Sequence, residues 1–257
     1  MMMRSLAGGV YGVLLWVVAL WLAWLALAAL DFLYPLAYGW LDIGATLQTY
    51  VPQNRFGRQD YPVADVGQQM QHFAAISHAI HLQGAGLAQL SYHDAQGKVL
   101  GLLLTRDEVL HLQDVARLVT GGMAVGAVGT LLWLAWLAIL PRLMPGQGWR
   151  LPSLSVLLLG SAAVLVVVGA VLAAFGFESV FYALHRLIFP ADHAWFFYYQ
   201  DSLMSSLMQA PHLFAVIGVA WLVLSLALLL LLDTSVRFAI RRIQSKFSNQ
   251  FFKGETA

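Results

Sequence analysis

The chain has 257 residues, 60% of them hydrophobic and 11% charged, with a formal net charge of +1 and no cysteine. So few charges cannot keep the surface of a soluble domain of this length wet, and composition therefore points to a membrane protein. Without cysteine, thiolate catalysis, Cys-ligated metals and intrachain disulfides are excluded.

Four stretches lack Asp, Glu, Lys and Arg: Ser5 to Leu30, Leu118 to Pro141, Leu151 to Phe177 and Ser202 to Leu232. Each supplies the roughly 20 apolar residues that a helix needs to cross a hydrocarbon core of about 30 Å. Backbone groups in lipid must be satisfied within the segment, so the spans are predicted as helices. They are placed at about 8–30, 118–141, 152–176 and 212–232, the last starting near His212 because Gln209-Ala-Pro-His is a poor continuation of buried helix. The first is expected to be a permanent span and not a cleaved signal. Its apolar run exceeds the usual h-region and carries Trp16, Trp21 and Trp24.

Between the first two spans, 31–117 opens with the interfacial aromatics Tyr34, Tyr38 and Trp40 and continues as turn-rich sequence through Pro52, Asn54, Gly57 and Pro62. Gln68 to Leu82 is predicted as an amphipathic helix with Met70, Phe73, Ile76 (or Ser77) and Ile80 on one stripe. The apolar runs Leu87 to Tyr92 and Val99 to Leu104 flank Asp94-Ala-Gln-Gly97 and predict a β-hairpin. Thr105-Arg-Asp-Glu108 is a capping box, opening a helix through Val109, Leu112, Val115 and Leu118 toward the second span. The fold class expected is a mainly α membrane protein: a four-transmembrane-helix bundle with a small α+β extracytoplasmic cap, in a single membrane domain.

Charge orients it. Arg4, Arg142, Arg150, Arg237, Arg241, Arg242, Lys246 and Lys253 gather on one side, while acids outnumber bases in 31–117 and 178–211. Lys and Arg concentrated in short cytoplasmic segments predict both termini inside. The cap (31–117) and the loop 178–211 are then expected on the outer side of an inner membrane. The tail 233–257, with Phe238, Ile240, Ile243, Phe247 and Phe251 among its cations, is expected to lie on anionic lipid as an amphipathic anchor, not to bind nucleic acid.

All eight histidines, at 72, 78, 81, 93, 111, 185, 193 and 212, fall on the predicted outer side. Imidazole suits proton transfer near neutral pH and is also the commonest metal ligand. His111 and Asp114 share a helix face at i, i+3, so the carboxylate is able to orient the ring; the alternative is a solvated surface pair. Glu108 is expected to be a cap. His185 sits in the aromatic stretch 181–190, where an interfacial role competes with a catalytic one. His72, His78 and His81 do not repeat on one helix face and no HExxH occurs, so no metal site is expected. His193 and His212 are taken most simply as polar interface residues, and no G-x-S-x-G elbow is present.

Leu104-Thr-Arg-Asp-Glu-Val-Leu-His111-Leu-Gln-Asp114-Val, with His185-Arg-Leu-Ile-Phe-Pro-Ala-Asp-His-Ala-Trp195-Phe and Asp201-Ser-Leu, resembles the lipoprotein intramolecular transacylase (Lit) family of bacterial membrane proteins. The resemblance covers nearly the whole chain. Two departures stand out: Ala210-Pro211-His212 where Pro-Glu commonly follows, and the aromatic run Trp195-Phe-Phe-Tyr-Tyr. The resemblance implies transfer of the sn-2 acyl chain of a diacylglyceryl-modified cysteine to that cysteine's own α-amine. His111, polarised by Asp114, is the expected base, and His185 the group that polarises the ester or protonates the leaving oxygen. Arg186, Trp195, Asp201 and Tyr34 are the candidate substrate contacts. No cofactor is implied. The partners expected are diacylglyceryl lipoproteins or a phospholipid-like substrate and membrane lipids, with a monomer as one expectation. The competing reading is a non-catalytic lipid- or protein-binding membrane factor, and behind it a metal- or haem-handling protein.

Overall fold

The computed structural model describes residues 2–143 and 151–254, with side chains described over 8–139 and 151–242. Arg4, Arg142, Arg150, Lys246 and Lys253, on which the charge asymmetry leans, lie outside the described side chains. The chain is mainly helical: α1 (Met2–Ala28), α2 (Tyr34–Trp40), α3 (Ile43–Tyr50), α4 (Val66–His81), β1 (Ser91–His93), β2 (Val99–Leu102), α5 (Arg106–Leu143), α6 (Leu154–Phe175), α7 (Phe177–Ile188), α8 (Leu203–Met208) and α9 (His212–Gly254). Four stretches are long and apolar enough to cross a membrane: Gly8–Ala28, Arg106–Ile139, Leu154–Phe175 and His212–Arg242. At 1.5 Å per residue, a 34-residue helix is about 51 Å long, well beyond the ~30 Å hydrocarbon core. The charged first turns of α5, Arg106 to Arg117, precede its uncharged stretch, which begins at Leu118.

The chain divides into two compact units. One comprises Met1–Trp24, Ala124–Val164 and Trp221–Ala257; the other comprises Leu25–Met123 and Leu165–Ala220. In the first, Tyr11, Leu15, Val18 and Ala19 recur at helical spacing and pack against Trp133, Leu157 and Leu229. Close approach is set by glycine: a Cβ on Gly126 would lie 2.2 Å from the Trp21 ring. Asp233 is fully buried here and accepts from the Tyr11 hydroxyl (3.0 Å) and from Arg237 Nε (2.6 Å).

The second unit is built on the α3–α8 and α2–α4 contacts and the antiparallel β1–β2 pair. Tyr34 stacks on Phe73 with centroids 3.9 Å apart and donates to the Leu207 carbonyl at 2.7 Å. Gln209 Nε2 donates to the Leu41 carbonyl and to Thr46 Oγ1, fastening the end of α8 to α2 and α3. The segment 34–53, interfacial and turn-rich in sequence, instead folds largely into α2 and α3, helices whose buried residues include Tyr34, Ala37, Ile43 and Leu47. Helix α4 begins two residues earlier than expected because Asp65 caps it, accepting from the Gln68 N–H. Its buried face carries Gln69 and His72 beside Phe73 and Ile76, while Met70 and Ile80 are only half-buried. Those polar groups are satisfied: Tyr38 donates to Gln69 Oε1, and Gln69 donates to the Val63 carbonyl. His72 sits between the Tyr61 hydroxyl (2.9 Å) and the Ser91 carbonyl (3.2 Å). The hairpin forms where the turn chemistry predicts it, although Leu87 to Gln89 is a 3-10 turn ahead of β1.

Candidate active site

The capping box forms in both directions: Glu108 accepts from the Thr105 N–H, and the Glu108 N–H bonds Thr105 Oγ1 at 3.3 Å. Glu108 is buried, and its other oxygen takes the Ser202 hydroxyl, joining α5 to the N-cap of α8. This start to α5 puts His111 and Asp114, one turn apart, on a buried face with Leu112 nearby.

The opposing wall comes from α7 and the irregular segment 189–202. Glycine opens α7, with Gly176 at φ +77°, a conformation that turns the chain between α6 and α7 without a Cβ penalty. Helix α7 then presents His185 toward His111, their ring centroids 6.2 Å apart. Phe189 meets both rings, at 4.8 Å from His111 and 5.2 Å from His185. Phe197 lies 6.0 Å from His111, and Trp195 5.4 Å from His185. The two histidines, 74 positions apart in sequence, therefore share an enclosure of aromatic rings.

Their states differ. His111 is 7% exposed, and its Nδ1 is buried without a hydrogen-bond partner. Burial first, and His185 second, push its pKa down to about 4, against a partial opposing pull from Asp114. His185 is held below the ordinary imidazole value by burial, opposed by its bond to the Phe181 carbonyl. That carbonyl, 2.8 Å from Nδ1, only accepts, so Nδ1 carries the hydrogen and the Nε2 lone pair is free.

Asp114 directs its hydrogen bonds away from His111 and acts on that ring through its charge. One oxygen accepts from His193 Nδ1 at 2.5 Å and the other from Arg117 at 2.6 Å. His193, taken from the sequence as an interface residue, is thus the imidazole that Asp114 holds. No local spacing announces a contact across 79 residues of chain. Of the other candidates, Trp195 is beside His185. Asp201 makes a two-pronged bond to Arg55, both distances 2.6 Å. Arg186 is exposed on α7. Tyr34 is only 1% exposed and is engaged with Phe73, Tyr38 and Leu207 in the cap core, not with the histidines. Among the described residues no cluster of three or more His, Cys, Asp or Glu is disposed to hold a metal ion.

The arrangement offers two neutral imidazoles among aromatic rings, one with a lone pair directed by a fixed tautomer. Neutral imidazoles held in this way are chemically suited to proton transfer. No curated protein matches the chain. Two structures of the membrane-integral lipoprotein intramolecular transacylase Lit from Bacillus cereus share its fold, each at 16% identity over 95% of this chain. One is a single-substitution variant, with TM-score 0.61 and 95% of its own chain covered; the other has TM-score 0.60 and 99% covered. The family model for lipoprotein intramolecular transacylase Lit matches residues 10–210, and the chain belongs to that family of membrane transacylases.

Proposed function

We propose that this protein moves the sn-2 acyl chain of a diacylglyceryl-modified N-terminal cysteine onto that cysteine's own α-amine, with His111 and His185 handling the protons. The observation that carries this is the meeting of two neutral imidazoles, centroids 6.2 Å apart, among aromatic rings. The family name supports a lipoprotein as the substrate. The amine nitrogen attacks the ester carbonyl carbon, the C–O bond to glycerol breaks, and an amide and a free glyceryl hydroxyl remain. Starting from the ammonium, two protons leave nitrogen: one ends on the glyceryl oxygen and one goes to solvent.

Magnitudes decide where the histidines act. An α-amine of pKa about 8 is roughly a tenth neutral at pH 7. Drawing the proton from the ammonium onto an imidazole of pKa about 4 would cost about 5 kcal/mol. The substrate therefore binds as the neutral amine. His111 takes the far more acidic proton of the zwitterionic tetrahedral adduct, and that same proton passes through the free Nε2 of His185 to the departing oxygen, which leaves both imidazoles neutral again. Donor and acceptor belong to one molecule, so alignment supplies much of the rate, up to about 7–11 kcal/mol.

The site is assigned to the outer leaflet, with both termini inside and spans at about 8–30, 118–141, 152–176 and 212–232. What supports this is the sequence-wide charge asymmetry. Expression beside a reporter diacylglyceryl lipoprotein, with mass analysis of the released lipopeptide, tests the reading. Wild type should yield N-acylated lyso-lipopeptide, and His111→Ala and His185→Ala should not. Unchanged N-terminal modification in both variants would sink it.

A further inference from the structure

The segment between α7 and α8 has little regular structure, yet it supplies Phe189, Trp195 and Phe197, the rings that wall in His111 and His185. Irregular backbone holds such a wall only where side chains pin it. Toward its C-terminal end three contacts do so. Asp201 pairs with Arg55, the Arg55 N–H donates to the Gln200 carbonyl at 2.8 Å, and Ser202 bonds Glu108. Between Phe189 and Trp195 the contact to α5 is His193 Nδ1 on Asp114, one turn past His111. Asp114 is itself buried, so its bonds to His193 and Arg117 answer a desolvated charge.

We propose that His193 is a positioning residue for the acyl transfer: by donating Nδ1–H to Asp114 it holds the segment 189–197 against α5, so that its rings close over His111 and His185. It acts through those rings and does not itself carry the transferred proton. The catalytic part of the statement rests on the transacylase reading above; the closure part does not.

The test uses the full chain in detergent or nanodiscs, with His193→Ala, His193→Asn and, from the other side of the bond, Asp114→Ala. Asparagine sets an amide N–H near the position of Nδ1 but has no second ring nitrogen. Diethyl pyrocarbonate modifies neutral imidazole, and peptide mass spectrometry reads its rate at His111 and His185 separately. Release of the wall should raise modification of His111 about tenfold or more in His193→Ala and Asp114→Ala, the order a lost charge-assisted hydrogen bond allows. His193→Asn should stay within about threefold of wild type on the same grounds. With a diacylglyceryl lipopeptide as substrate, kcat should fall about tenfold or more in His193→Ala, with KM changing less, and recover in His193→Asn.

His111 as protected in both alanine variants as in wild type would overturn the proposal. So would an asparagine variant that protects His111 yet loses kcat like alanine, because the second ring nitrogen would then take part in the chemistry. If wild type fails to turn over the lipopeptide, the transacylase reading fails, while the modification rates still decide whether His193 closes the wall.

Discussion

Replacing His111 with phenylalanine should separate stability from activity in opposite directions. The ring is 7% exposed, faces Phe189 at 4.8 Å and Phe197 at 6.0 Å, and buries Nδ1 without a partner. A buried polar atom left unpaired costs about 1–3 kcal/mol. Phenylalanine removes that cost in a similar shape, offset in part by its slightly larger ring. The net expectation is a higher thermal midpoint, equivalent to about 1 kcal/mol. Transacylation should fall about 10²- to 10⁴-fold, the usual worth of a positioned proton-transfer group.

The same variant should change the acid response. Folding lowers the His111 pKa from 6.5 to about 4, so the unfolded chain binds the extra proton first as pH falls. Stability is therefore lost between pH 6.5 and about 4, by roughly 3 kcal/mol in all at 1.36 kcal/mol per unit. His111→Phe should lack this component. It should retain the slope from His72 and His185, both also held down chiefly by burial. Tryptophan-fluorescence melts in detergent at several pH values, beside lipopeptide mass analysis, measure both halves. A variant that keeps transacylation, or that loses stability in acid as steeply as wild type, would refute the reasoning.

Tyr61→Phe leaves the buried His72 Nδ1 without its donor and should lower stability by about 1–3 kcal/mol while kcat is unchanged, read by melts and turnover. Asp233→Leu strips Arg237 and Tyr11 of a fully buried acceptor; a loss of about 3–5 kcal/mol is expected in unfolding assays, largely recovered when Arg237 is also made leucine. Gly126→Ala should cost about 1–3 kcal/mol, because its Cβ would stand 2.2 Å from the Trp21 ring; an unchanged midpoint would mean the helices part freely there.

The mainly helical membrane class, the four apolar helices, the hairpin and the capping box were legible in sequence because each is a local or periodic signal. Apolar length alone marks a span, and Thr105 meets Glu108 within one turn. Helices α2 and α3 escaped because their aromatic and turn-prone residues lack a clear period, and their burial is earned against α8 and α4. The buried stripe on α4 departs from the hydrophobic period for a related reason. Hydrophobicity ranks Met70 above Gln69, but Tyr38 and Val63 supply Gln69 with the partners that make burial tolerable.

By itself, the sequence determined a membrane protein with four long apolar helices, and its motifs pointed to the transacylase family. It named His111, Asp114 and His185 from spacing and resemblance. Tertiary structure decided which of them meet. Asp114 shares a helix face with His111, yet its oxygens go to His193 and Arg117, while His111 is left buried, neutral and beside His185. Local periodicity sets which way a side chain points along its own helix, but a hydrogen bond or a desolvation cost depends on what folds back against that face. Here that was an irregular aromatic segment arriving from 79 residues away, which no spacing rule anticipates.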